Sequence, residues 1–113
     1  MTQQETASAC GGIVQAAAPD EASIVEAYTS DLLSDVMAHA PGDSVLITIQ
    51  NHINTVAVCT LVGVITIVIC NNREIPEDMR KAAEAKKIGI IRTPLSQFHA
   101  SCAIGAALGK AQG

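Results

Sequence analysis

The sequence predicts a three-layer α/β domain, a mostly parallel sheet with helices on both faces. Apolar β-branched runs such as "VLITI" and "VITIVI" alternate with segments of helical periodicity, an order that implies right-handed crossovers and strands buried on both sides. Although 49% of the 113 residues are hydrophobic, Trp is absent and Tyr28 and Phe98 are the only aromatics. The core is therefore built from Val, Ile, Leu and Ala, which suits a sheet flanked by helices. The length is that of one domain, close to the lower end where pairing with a second copy helps stability.

Taken in order, residues 1 to 11 read as a flexible start, and residues 12 to 113 as the single domain. "GIVQAAA" (12 to 18) and "SIVEAYT" (23 to 29) read as short strands joined by a Pro-Asp turn, a hairpin or edge pair. "SDLLSDVMAHA" (30 to 40) sets Leu32, Leu33, Val36 and Met37 against Ser30, Asp31, Ser34 and Asp35, an amphipathic helix with Ser30 as its cap. A strand over 45 to 49 follows, then a helix from about Asn51 to Val62 and a strand over 64 to 69. "PEDMRKAAEAKK" (76 to 87) has Pro at the first helical position, acids in the first turn and lysines in the last. "IGII" (88 to 91) is a strand, and residues 93 to 110 form a helix opened by Thr93 as cap and Pro94.

From Ile53 to Cys70 no charge interrupts eighteen residues, close to the length of a membrane span. Asn54, Thr55, Thr60, Gly63 and Thr66 make it a poor lipid-facing helix, and Gly63 is placed to divide it into helix and strand.

Charge is segregated along the chain. Residues 1 to 72 hold seven acids (Glu5, Asp20, Glu21, Glu26, Asp31, Asp35, Asp43) and no Lys or Arg, whereas residues 73 to 113 hold all seven bases and four acids, giving −7 and +3. Such a bipolar surface orients a partner or a second copy, or is neutralised by ion pairs between the halves. The net charge of −4 argues against duplex DNA, and the scarcity of aromatics against single strands. The four cysteines (Cys10, Cys59, Cys70, Cys102) lack CxxC or zinc-finger spacing and read as reduced thiols. With no signal-peptide pattern at the start, the expected location is cytoplasmic.

The long stretch from "TSDLLSDVM" (29 to 37) to "TPLSQF" (93 to 98), with Thr48 to Asn54 in a T-x-x-x-x-x-N pattern after the central strand, resembles the DRTGG domain family. The resemblance runs from about residue 12 to the end of the last helix. Where the namesake Asp-Arg-x-x-Thr-Gly-Gly should lie, just before Tyr28, this chain has "EASIVEA" (21 to 27). The resemblance implies a module like the N-terminal domain of HPr kinase, found alone or attached to CBS domains and pyrophosphatases, regulatory and dimer-forming. The kinship suggests a serine kinase label, but no kinase activity is expected from the residues, because "GAALGKA" (105 to 111) is one residue short of a P-loop, has Ala for Ser/Thr and ends a helix.

The candidate site follows from the strands. If those ending near Ile49, Ile69 and Ile91 are parallel, their carboxyl ends share one edge, where ligands of open α/β sheets bind. Thr48, Gln50, Asn51, His52, Asn54, Arg73, Arg92 and Thr93 would gather there, with helix N-termini near Asn51, Pro76 and Pro94 favouring an anion. A nucleotide or another phosphate or carboxylate ligand would fit. The plainer alternative is that Asn51 or Asn54 caps a helix and the arginines are exposed tips.

Catalytic groupings are weak. His39 sits at a helix end, His99 and Cys102 three residues apart are packing neighbours, Asp31 and Asp35 make a solvated face, and no spacing assembles a metal site. The sequence thus points to a non-catalytic regulatory module without a cofactor, homodimeric, with a small anionic ligand; the alternative is a scaffold that dimerises and docks a partner enzyme without any ligand. In the last helix Ser101, Gly105 and Gly109 recur every fourth residue, a groove for the sheet or for a second subunit.

Overall fold

A computed structural model describes residues 1–110; residues 111–113, the end of the expected domain span, lie outside the described residues. The element order is α1 (Gln3–Ala9), β1 (Ile13–Ala16), β2 (Glu26–Thr29), α2 (Leu33–His39), β3 (Ser44–Thr48), α3 (Ile53–Val62), β4 (Val64–Ile69), α4 (Glu77–Lys86), β5 (Gly89–Arg92) and α5 (Gln97–Ala107). The five strands form one sheet in the order β1-β5-β4-β3-β2. β2, β3, β4 and β5 run parallel and only β1 is antiparallel.

Period-2 alternation in the strands feeds two cores, one on each face of the sheet. Leu46, Ile67, Ile69 and Ile90 meet Val36 of α2, Val56 and Cys59 of α3, and Met79 and Ala83 of α4. Val45, Ile47, Val68 and Ile91 point the other way, onto Ala7 and Cys10 of α1 and Ala100 and Ile104 of α5. The three-layer architecture is the expected one. The uncharged stretch after Ile53 divides as anticipated, because Gly63 closes α3 at φ 82°, a left-handed turn that glycine enters without a Cβ penalty. Among the described residues no helix is long and apolar enough to cross a membrane.

Several local expectations are corrected. β1 and β2 are not a hairpin; they occupy opposite edges of the sheet. The Pro-Asp turn forms, with Ala22 N–H donating to the Pro19 carbonyl, but the chain then crosses the amino end of the sheet to reach β3. Residues 1–11 carry a helix. Thr2 and Glu5 close a reciprocal capping box, Thr6 and Ala7 are buried, and the Gln3 amide bonds the Ala16 carbonyl and the Ala18 N–H. An amphipathic seven-residue helix is too short for periodicity to reveal.

Helix starts also move. Leu32, not Ser30, precedes α2, and Ser30 Oγ instead accepts from Leu32 N–H at 3.2 Å. Ser96, not Thr93, caps α5 by accepting from His99 N–H, since Thr93 is still held in the sheet by its bond to the Ile69 carbonyl. Pro76 stands one position before α4 rather than inside it, and His52 before α3.

Gly89 shows how α1 is docked. A Cβ at this position would collide with the Gln3 side chain and come 2.7 Å from Thr66 Oγ1, which is fully buried. The Gln3 amide thus fills the notch that glycine leaves in β5. Gly89→Ala should lower stability by about 1–3 kcal/mol in urea unfolding, as overpacking does, and adding Gln3→Ala should recover part of that loss. Equal stability of Gly89→Ala and the parent would refute this docking.

Candidate functional site

Strand register places the sequence-derived candidates on one rim. Thr48 pairs with Ile69, Ile69 with Arg92, and Thr29 with Ile47, so the four parallel strands end together. Ile13 pairs with Arg92 as well, which brings the end of α1 to the same rim. Gln50 and Arg92 therefore lie at the same edge of the sheet.

The polar side chains there tie neighbouring loops together. Gln50 Nε2 donates to the Asp31 carbonyl at 2.6 Å, joining the loop after β3 to the loop after β2. Asn51 Nδ2 donates to the Glu74 carbonyl at 2.8 Å, joining it to the loop after β4. Arg92 sends Nε and Nη2 to the Asn72 carbonyl at 3.2 and 2.7 Å. Asn71 and Asn72 hold left-handed conformations, φ 59° and 53°, which asparagine tolerates better than most residues, and their N–H groups reach the Leu95 and Thr93 carbonyls at 2.8 Å. The "NN" pair is thus a backbone requirement that residue type alone hinted at.

The two threonines face inward. Thr48 is fully buried and its Oγ1 accepts from Gln50 N–H. Thr93 is also fully buried; its Oγ1 donates to the Cys10 carbonyl at 2.7 Å and accepts from Leu95 N–H at 3.2 Å. His52, Asn54 and Arg73 are exposed, and no side-chain hydrogen bond or ion pair engages them among the described residues.

The three helix starts differ electrostatically. α4 has Glu77 and Asp78 in its first turn, and Asp78 accepts from Met79 N–H, so its dipole is already answered. α5 has its Ser96 cap. α3 has neither a side-chain cap nor an acid in its first turn. Its start, beside His52, Asn54 and the loop bearing Arg73, is the part of the rim best suited to an anion. Three cavities of about 460, 220 and 380 Å³ lie elsewhere, lined by residues such as Ile24 and Leu108, Gly63 and Lys87, and Gln3 and Pro19.

The catalytic candidates do not assemble. His99 stands edge-on to Phe98 with ring centroids 5.2 Å apart, and Cys102 is exposed. Burial pushes the Cys59 thiol up to about 12 and Cys70 to about 11, which suppresses the nucleophilic thiolate. Among the described residues no group of three metal-ligating side chains occurs. Asp31 and Asp35 serve separate ends: Asp31 offers its carbonyl to Gln50, while Asp35 accepts from Tyr28 OH at 2.7 Å and meets His39 Nδ1 at 3.2 Å. This Tyr28–Asp35–His39 cluster escaped the sequence, since Tyr28 belongs to a strand and its reach to α2 depends on the sheet order.

Comparison with known proteins bears on the fold. The chain is similar to the CBS and DRTGG domains of the regulatory region of a Clostridium perfringens pyrophosphatase, solved in complex with its activator, diadenosine tetraphosphate. The TM-score is 0.75 at 13% identity, covering 98% of this chain and 49% of that one. This chain therefore spans about half the length of that neighbour. The likeness is consistent with the DRTGG-like fold that the sequence resemblance implies. No family model and no curated protein matches the chain.

Two outcomes are expected at this rim. Thr93→Val should cost about 1–3 kcal/mol in chemical denaturation, because the buried Cys10 carbonyl and Leu95 N–H lose their partner; an unchanged midpoint would contradict that role. The Tyr28 hydroxyl foremost, with Ser30 and His39, holds the Asp35 carboxyl below its ordinary value. Its folded pKa being depressed, its contribution is present above the unfolded pKa of about 3.9 and is lost as pH falls through the folded one. Asp35→Asn should melt below the parent at pH 7, with the gap closing as pH falls through the depressed folded value. A gap that persists in acid would rule out this linkage.

Proposed function

We propose that the chain is a non-catalytic regulatory module that works as a homodimer and senses a small anionic ligand, such as a nucleotide, at the carboxyl rim of its sheet. The observation that carries this reading is the shared register of Thr48, Ile69 and Arg92, which sets the uncapped start of α3 beside the loop bearing Arg73. Ligands of open α/β sheets bind at such a rim, and the amides of a helix start with a nearby guanidinium favour phosphate or carboxylate. A regulatory region of the same fold, solved with a nucleotide activator, supports the choice of ligand class.

Within this reading the eight candidate residues divide. Arg73, His52 and Asn54 would meet the ligand, whereas Gln50, Asn51 and Arg92 would hold the loops that shape its seat, with Thr48 and Thr93 beneath them. A specific observation favours the rival reading, a scaffold that dimerises and docks a partner enzyme without a ligand. Gln50, Asn51 and Arg92 already have protein acceptors, so loop fastening alone accounts for them.

Thermal shift across a panel of nucleotides, inorganic phosphate and carboxylates separates the two. A true ligand at a hundredfold its dissociation constant adds about 2.7 kcal/mol, and Arg73→Ala should weaken it roughly tenfold while leaving the unliganded melting temperature unchanged. A panel without any shift would favour the scaffold, and a ligand whose affinity ignores Arg73→Ala would move the site elsewhere.

A further inference from the structure

The helical layer formed by α2, α3 and α4 has an unusual middle member. α3 packs between α2 and α4 on the outer face of the sheet, yet none of its ten residues is charged, and its polar side chains are limited to Asn54, Thr55 and Thr60. Its inward side supplies Val56 and Cys59 to the core, while Ile53 (44% exposed), Ala57 and Leu61 (74% exposed) run down its outward side at spacing four. A helix on a solvated face ordinarily turns charged residues outward, and large apolar side chains set in a row there mark a surface that a partner covers. Met37 of α2, half exposed, continues the apolar strip.

The two flanks of this strip have opposite sign. On the α2 side Asp31 and Asp43 are exposed, and neither has an ion-pair partner among the described residues. On the α4 side Arg80 is bound by Glu77 and Glu84, and Lys81, Lys86 and Lys87 are exposed without a paired acid among the described residues. Asp43 precedes β3 and Lys86 and Lys87 close α4, so these charges sit at the same amino end of the layer. Asp31 belongs to the opposite, carboxyl end, where α4 begins.

We infer that the outer face of α2, α3 and α4 is the surface on which a second copy of this chain docks, about a twofold axis parallel to α3. The inference rests on the homodimeric part of the proposed function and assigns its interface. A stable contact takes about 800 Å² per partner, roughly a seventh of the 5657 Å² surface. Ten helical residues are only about 15 Å long, and helices pack about 8–10 Å apart, so α3 alone is too small and both flanks must take part. An axis parallel to α3 keeps each end of the layer level with its own kind and exchanges the sides. Asp43 then faces Lys86 and Lys87 of the partner subunit, and the uncharged rows meet in the centre. An axis across α3 would instead set acids against acids and lysines against lysines, which is unfavourable.

The test is the monomer–dimer equilibrium of the full chain by light scattering over a dilution series. Leu61→Lys, at a position with little folded-state packing, should raise the dimer dissociation constant at least about tenfold, and Lys86→Glu should raise it too. Phe98→Lys, on the opposite layer, should not. In a Cys102→Ser background, Ile53→Cys should form an intermolecular disulfide with its own twin, as should Leu61→Cys, and a mixture of the two should yield no excess of the crossed product. A parent chain that is monomeric at high concentration overturns both the dimer and this surface. A dimer that survives Leu61→Lys, or that Phe98→Lys dissociates, overturns the surface and leaves the dimer standing. Preferential Ile53–Leu61 crossing overturns the axis.

Discussion

The arrangement on which everything else depends is the parallel pairing of β2 to β5 with both faces covered. Strands packed on both sides cannot slip by one residue without sending every side chain to the opposite core, where the helices are packed against a different set. Thr48, Ile69 and Arg92 are therefore locked level with one another, and the loops that follow them must leave the sheet together. A cluster of irregular backbone at one rim has many carbonyl and amide groups that the sheet no longer satisfies. The polar residues between β3 and α3 answer that need: Gln50 and Asn51 reach the Asp31 and Glu74 carbonyls, and Arg92 reaches Asn72.

This division of labour explains an odd feature of the chain, a run of amide side chains set between two apolar elements. Part of the run is mortar between loops, and part stays in solvent at a helix start without cap or counter-charge. α4 and α5, entering at the same rim, carry their own acids or serine. The contrast among three helix starts at one edge, rather than any single residue, marks the beginning of α3 as the distinctive place. Its electrostatics are those of oriented amides and a nearby arginine, which suit charge recognition more than bond-making.

α3 links that rim to the outer layer. The helix that presents its start to solvent at the rim also presents an uncharged side to solvent along its length. α5, the other helix without charged residues, packs over β2 and β3, with Ser101 joined to Thr29 at 2.6 Å, so part of its small-residue row is occupied within the chain.

The sequence by itself determined the layer architecture, the alternation of strands and helices from β3 onward, the division of the uncharged stretch at Gly63 and the presence of Gln50 and Arg92 at one sheet edge. These rest on period, propensity and the handedness of crossovers, which are local or nearly so. Tertiary structure alone decided that β1 and β2 lie on opposite edges, because short strands can pair with any free edge, and the docking of α1, with Gln3 seated against Gly89, accompanies β1 at β5. It also decided that Thr93 belongs to the sheet and Ser96 to the helix, and that the amides of Gln50 and Asn51 are spent on carbonyls nineteen and twenty-three residues away. Such bonds depend on which loops become neighbours, and a side chain's partner across a fold leaves no periodic trace in the chain that carries it.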